Sequence, residues 1–536
     1  MTTEPRAFLT IDAGAATIAA ALIGRVGGRW RLVGSLSMPA GSDVEAVVSA
    51  LGDRAVAADP SLAAALDLGR GGVSPTQLPR LEVSSHAPRR LAVVAASDRA
   101  LAPLVATASR SGWRTVSGSA EAIDPLAMTT LLLDRTVSGV LLGAGDPPGA
   151  DERRALGELA ALVAAAAGRR PELVVVLAGG MAEHLTAFGD PGSRPGEVLL
   201  GPAAERGSPG GPLADLLIEL AFPPDDARRS LGAGAMALAE ILDRRVDVVE
   251  IGYDAGTRAA GSPSVSGIAP ALDLAVVPTA ALAPADPDDS AVDRVGRWST
   301  WGADRHRLRD RLRELRIAPW ADATGEGVTL RMAAARAALG RLAEWTPEWA
   351  ERPPADLVVV TGGAWAVAPA PAVALAVMDV LRRPGAGQFA LDHARILAPL
   401  GSIPEPDERR AMIADLIDDL LAPLGTVITP AGMHTGRSAG SVVVHATDGS
   451  TRLDLMPGGL ALIDLPPGVS AVAEFKFRDA VRLGTRGRHF AIDVTGGLGG
   501  LVIDLRDIPL RLPDRADLRA ELLESWHTAI VTGRNV

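Results

Sequence analysis

Twice in this chain a short apolar run meets an acidic residue and then turns on glycine, and that repeat constrains the fold more than any other feature. Residues 8–23 read FLTIDAGAATIAAALI. Phe8, Leu9 and Ile11 lead into Asp12-Ala13-Gly14-Ala15-Ala16-Thr17, and Ile18 to Ile23 lead out, which predicts strand, tight turn, strand. The strand Val246–Ile251 ends in a second such turn, Glu250-Ile251-Gly252-Tyr253-Asp254-Ala255-Gly256-Thr257. A carboxylate at a strand end, followed by Gly and small residues, lets backbone N–H groups approach an anion closely. Asp12 would hold a hydrated magnesium ion. Turns of this kind usually add Ser, Thr or Lys side chains to bind phosphate, and here Ala15, Ala16 and Ala19 stand in their places. A plain β-hairpin with small residues in its turn accounts equally for residues 8–23.

The remaining pattern is α/β. Strands are expected at 91–96, around Thr115-Val116, at 137–142 (ending Gly143-Ala144-Gly145-Asp146) and at 173–177 (ending Ala178-Gly179-Gly180), with helices at 98–111 and 151–167 between them. Short continuous apolar strands alternating with helices mean layered α/β structure. Residues 188–213, rich in Gly and Pro, read as loop, and so does the acidic stretch 283–297. Helices follow at 225–243, 304–316, 329–345 and 406–423. The 304–316 helix is strongly basic, and its charges read most simply as a solvated face. Leu357–Val360 leads through Thr361-Gly362-Gly363-Ala364 into a helix at 371–381, which places backbone amides at a helix N-terminus and suits a nucleotide. From 425 the pattern changes to short alternating strands such as Ser441–His445 and Phe475–Phe477, closed by a helix at 517–530.

Composition removes several kinds of chemistry. At 536 residues the chain needs two to four domains. Only 3% of it is aromatic, so its cores must be built from Ala, Val and Leu. There is no cysteine, which excludes disulfides, thiolate metal sites and cysteine nucleophiles. Lys476 is the single lysine, so lysine chemistry is confined to that position. The eight histidines, His434, His445 and His489 among them, are scattered without metal-ligand spacing. A net charge of −11 argues against nucleic acid as partner. Residues 1–7 do not read as a leader, and the longest Ala-rich run, 155–167, is too short to cross a bilayer. No membrane contact is therefore expected, and a cytoplasmic protein is.

The order of the turns resembles one family, the glutamate mutase accessory proteins called MutL or GlmL, which are unrelated to the mismatch-repair protein of the same short name. The resemblance is carried by the acidic hairpin, the LLGAGD turn, the VVLAGG turn, the turn near 250 and two longer stretches. These are VVTGGAWAVAPAPAVALAVMDVLRRPGAGQFALDHARILAPLG (359–401) and GGLGGLVIDLRDIPLRLPDRADLRAELLESW (496–526). The resemblance implies an α/β fold of the actin, Hsp70 and sugar kinase ATPases, with two RNase H-like lobes and a C-terminal β-rich domain. The boundaries expected are 1–235 for lobe I, 236–424 for lobe II and 425–536 for the β-rich domain. By the same resemblance Asp12, Gly14 and Ala15 lie at the first phosphate turn, Glu250 and Gly252 at the second, and Gly362 and Gly363 at adenosine. ATP or ADP with magnesium is the implied cofactor, with the metal at Asp12. The implied role is accessory, chaperone or reactivase for an adenosylcobalamin-dependent mutase.

The sequence departs from that family at the phosphate turns. The first usually reads D-x-G-S-T with a later T-K, and this chain has Ala15-Ala16 and Ile18-Ala19. The second usually reads D-x-G-G-A-T-T-D, and here Tyr253 occupies a place where backbone should meet phosphate. Three or four lost hydrogen bonds amount to roughly 4–6 kcal/mol, about a thousandfold in affinity. The expectation is a scaffold that binds nucleotide weakly and hydrolyses little or none, with no catalytic residue. An ATP-hydrolysing reactivase is the alternative. A small-molecule kinase, for which Asp146 or Asp254 would be the catalytic Asp near the transferred phosphate, is the second.

Overall fold

The computed structural model describes residues 6–68, 74–144, 149–189, 196–205, 207, 209–265, 267–284, 287–300, 304–318, 325–351, 354–366, 368–434 and 436–533. Asp146 lies outside them. The chain forms two compact units: residues 1–85, 225–272 and 280–536 make the first, and residues 86–224 with 273–279 the second. The limits expected at 235 and 424 are not limits of these units.

The first unit opens with a meander of β1 (Ala7–Ala13), β2 (Thr17–Val26) and β3 (Arg29–Pro39), with β4 (Arg80–Ser84) added parallel to β1. The sheet order is β3-β2-β1-β4. Leu9, Ile11, Ala20 and Leu22 bury one face against Val47, Val48 and Leu51 of the helix Val44–Ala58. β3 is an edge strand, and its first two outward N–H groups do not face open water. Trp30 N donates to Asp415 Oδ2 (3.2 Å) and Leu32 N to Asp419 Oδ2 (3.0 Å), while the Arg31 guanidinium pairs with both Asp419 oxygens at 2.6 and 2.8 Å.

After β4 the chain enters the second unit. There β5 (Arg90–Ala95), β6 (Arg114–Ser119), β7 (Val137–Gly143), β8 (Val174–Ala178) and β9 (Glu197–Gly201) form an all-parallel sheet in the order β6-β5-β7-β8-β9. Val94, Val140 and Leu142 pack on Leu156, Leu159 and Val163 of the helix Ala150–Arg169. This is a doubly wound sheet of its own, so the LLGAGD and VVLAGG turns belong to it. β9 lies within the stretch expected to be loop; Glu197–Gly201 is too short for its alternation to show between flanking Gly and Pro.

The chain rejoins the first unit where it left: Ser84 N donates to Asp225 O at 3.1 Å, and the helix Ala227–Leu242 follows. The later strands are β10 (Val246–Ile251), β11 (Gly256–Ser262), β12 (Ala271–Val277), β13 (Leu357–Thr361), β14 (Gly385–Asp392), β15 (Leu421–Thr429), β16 (Gly440–Ala446), β17 (Gly449–Leu455), β18 (Leu460–Ile463), β19 (Ser470–Leu483), β20 (Thr485–Thr495) and β21 (Leu501–Asp504). In the first unit β11-β10-β13-β14-β15-β21-β18 run side by side. β10 is antiparallel to β11 and parallel to β13, as β1 is antiparallel to β2 and parallel to β4. The protein is thus α/β, with the hairpin-then-parallel-strand opening of an RNase H-like sheet used twice.

The C-terminal region is β-rich, as expected, but its strands divide between two sheets. β17-β16-β19-β20 form a separate antiparallel sheet, whereas β15, β18 and β21 complete the large one. No break falls at 424, since β15 spans it. The last helix, Ala516–Thr532, packs Leu523 and Trp526 against Leu375, Val427 and Val502. A buried charge network fastens this end. Arg506 donates to Asp379 Oδ1 (2.7 Å) and to both Asp504 oxygens (2.9 Å each), Arg336 meets Asp379 at 2.7 Å, and Arg382 also reaches Asp504. The VIDLR stretch is therefore structural: Asp504 and Arg506 are almost wholly buried.

The acidic stretch expected as loop at 283–297 contains a helix, Asp289–Gly296, capped by Asp288, whose carboxylate accepts from Ala291 N at 2.7 Å. Its Asp289 and Asp293 pair with Arg309 and Arg305 of the basic helix Arg305–Ile317. That helix buries Leu308, Leu312 and Leu315, so the charges of both segments compensate each other.

Candidate functional site

The two hairpins place their acidic turns in register. Asp12 pairs with Ala19 of β2 and Val83 of β4, and Glu250 pairs with Thr257 of β11 and Thr361 of β13. Each turn closes by the same hydrogen bond, Gly14 N to Thr17 O (2.9 Å) and Gly252 N to Ala255 O (3.0 Å). A Cβ on Gly14 would lie 2.9 Å from Thr17 O, and one on Gly252 would lie 3.0 Å from Ala255 O, which is why both positions are glycine.

Both turns line one cavity. Asp12, Gly14, Ala15, Glu250, Gly252 and Gly363 all border it, together with Thr17, Tyr253, Asp254, Arg228, Arg331 and Arg395. Gly362, at φ +103°, brings its backbone against Ile251 O and the Glu250 side chain and so joins the third turn to the second. Of the candidate residues, then, six border the cavity and Gly362 lies behind it.

The cavity is small and full of arginine. Its volume is about 40 Å³, room for a few waters and far below the several hundred Å³ usual for a nucleotide-sized ligand. Arg395 Nε lies 3.6 Å from Asp12 Oδ2, and Arg395 Nη1 donates to Thr17 Oγ1 at 2.5 Å. The loop that delivers Arg395 hangs on Asp392. This buried carboxylate accepts from Ile396 N (3.0 Å), Leu397 N (3.2 Å) and Thr361 Oγ1 (3.1 Å). Arg228 enters from the first turn of the helix Ala227–Leu242, whose cap is Asp226. Next to it, Gly401 and Ser230 meet so closely that a Cβ on Gly401 would lie 1.9 Å from Ser230 O. Tyr253 keeps its ring half-buried with its hydroxyl donating to Leu315 O (3.1 Å), under the Arg316 guanidinium.

Electrostatics follow from burial. Burial pushes Glu250 up from 4.5 to about 7; Arg228 opposes the rise and Asp12 adds to it. Burial also raises Asp12, and outweighs the pull of Arg395 and Arg228. Asp254 is committed to Arg316 at 2.7 Å.

At two of the expected contact points an arginine stands where magnesium or nucleotide would be met. The Asp12 carboxylate faces a guanidinium, not an open coordination position, and Arg395 stands within 3.4 Å of a Cβ placed on Gly363, where adenosine contact was expected. Sequence reasoning missed Arg395, Arg228 and Asp392. In so arginine-rich a chain no spacing marks one arginine, and the Leu391-Asp392 pair was the only nearby signal.

No family model matches the chain, and no curated protein matches its sequence. Solved structures do. A nucleotide-free acetone carboxylase shares 11% identity over 74% of this chain and 69% of its own, with a TM-score of 0.26. The type II variant of the Aquifex aeolicus Ppx/GppA phosphatase shares 9% over 76% and 88%, with a TM-score of 0.19. The PilM-PilN type IV pilus biogenesis complex shares 12% over 70% and 85%, with a TM-score of 0.21. Among the described residues no helix is long and apolar enough to cross a membrane.

Proposed function

We propose that this chain is a cytoplasmic accessory scaffold of actin-like fold that works by binding a protein partner without using nucleotide. The partner class is the one implied by the resemblance to MutL and GlmL, an adenosylcobalamin-dependent mutase. The observation that carries the reading is the occupied cavity: Asp12, Gly14, Ala15, Glu250, Gly252, Gly362 and Gly363 keep the backbone of a phosphate pocket, while arginine fills its space. Of the two candidates for the kinase alternative, Asp254 is already paired with Arg316 and Asp146 lies outside the described residues. The reading is tested on the whole protein by thermal shift with Mg-ATP and Mg-ADP, by an ATPase assay, and by co-purification with candidate mutases. No shift, no turnover and retention of a mutase are expected. Robust hydrolysis abolished by Asp12→Ala would instead overturn the nucleotide-independent reading.

A further inference from the structure

Resting on that nucleotide-independent reading, we propose that Arg395 is a resident cation: it serves Asp12 in place of a divalent metal and latches the first hairpin turn to the Gly362-Gly363 turn. Three observations converge on it. The first is position. One guanidinium reaches the Asp12 carboxylate at 3.6 Å and the Thr17 hydroxyl at 2.5 Å, and it lies beside Gly363. It therefore holds the first turn directly and fills the space in front of Gly363.

The second is the backbone. Arg395 sits at φ +54°, in the left-handed region, and only Asp67 and Asp243 share that state among the described non-glycine residues. Short polar residues tolerate this conformation, and a long branched-tip side chain gains nothing from it locally. Asp392 holds the turn by its three accepted hydrogen bonds, so the fold enforces the conformation that sends residue 395 to the cavity.

The third is unused capacity. Arg395 is 8% exposed, yet its Nη2 has no hydrogen-bond partner. Here its charge, not its full set of donors, is what the site uses. A guanidinium stays protonated and cannot exchange, so a carboxylate committed to it is closed to metal.

The test reads metal binding directly, with Mn²⁺ alone as probe. Free Mn²⁺ is followed by its electron paramagnetic resonance signal during titration of the full-length wild type, Arg395→Ala, Arg395→Gln and the double variant Asp12→Asn/Arg395→Ala. Arg395→Gln keeps a donor for Thr17 and replaces Arg395→Ala should the latter fail to fold. Wild type should leave the Mn²⁺ signal unchanged, the single variants should deplete it and gain a Mn²⁺-dependent rise in melting temperature, and the double variant should lose both. Equal binding by wild type and single variants would overturn the proposal. So would a folded single variant that binds no better than wild type. The nucleotide-independent reading fails separately, through binding of Mg-ATP by the wild type.

Discussion

Replacing Glu250 by Gln should make the protein more stable at pH 8 and remove much of its stability gradient between pH 5 and 8. The native carboxyl titrates near 7, against 4.5 as its ordinary value. Between those two values the native state holds a proton that the unfolded chain has released. Stability therefore falls as pH rises through this window and levels off above it. The full displacement corresponds to about 3–4 kcal/mol, and the partial exposure of Glu250 reduces that toward about 2 kcal/mol. Gln is close in shape to the protonated acid and does not ionise, so its curve lacks this component. Urea unfolding at half-unit steps from pH 5 to 8, wild type beside Glu250→Gln, gives the difference at each pH and cancels all other titrating groups. Parallel curves, or a variant weaker than wild type at pH 8, would show that Glu250 is ionised and paired in the native state.

Three further outcomes are expected. Arg506→Met should destabilise the protein by about 3–5 kcal/mol, because it strands the buried carboxylates of Asp379 and Asp504; denaturant melts measure it, and a loss below about 1 kcal/mol would mean that Arg336 and Arg382 compensate. Asp392→Ala should cost roughly 3 kcal/mol or more by leaving three donors without their acceptor, with Asp392→Asn intermediate in the same melts. A chain ending at residue 424 should fail to fold, since it cuts β15 and deletes β21 and β18 from the large sheet; native-like circular dichroism and resistance to protease in that fragment would contradict this.

The hairpin at Asp12, the second turn at Glu250 and the strand-to-helix turn at Gly362 were legible because each is a local pattern: an apolar run, then glycine where a Cβ cannot fit. What joins them was not. Arg395 reaches Thr17 across 378 residues of sequence, and no period or motif encodes such a contact. β14 was likewise missed, for Gly385-Ala386-Gly387-Gln388 has the composition of a turn and is a strand only because β13 and β15 pair with both its sides. That β15 runs across 424 was hidden for a related reason. Alternating strands reveal a change of pattern, but not which sheet each strand will join.

The carboxylates on the outer edge of β3 have a consequence for how copies of this chain behave when crowded. Asp415 and Asp419 are four residues apart on the helix Pro406–Leu420, about 6 Å along its axis. The N–H groups of Trp30 and Leu32 are two residues apart on a strand, about 7 Å. The two repeats match closely enough for one helix face to imitate a neighbouring strand. An eleven-residue edge would otherwise be a template for another chain. Here its first outward donors are already occupied from within the molecule, and the acceptors are charged. Strand addition at that end would have to displace both aspartates first, so the edge resists aggregation even in a chain rich in Ala, Val and Leu.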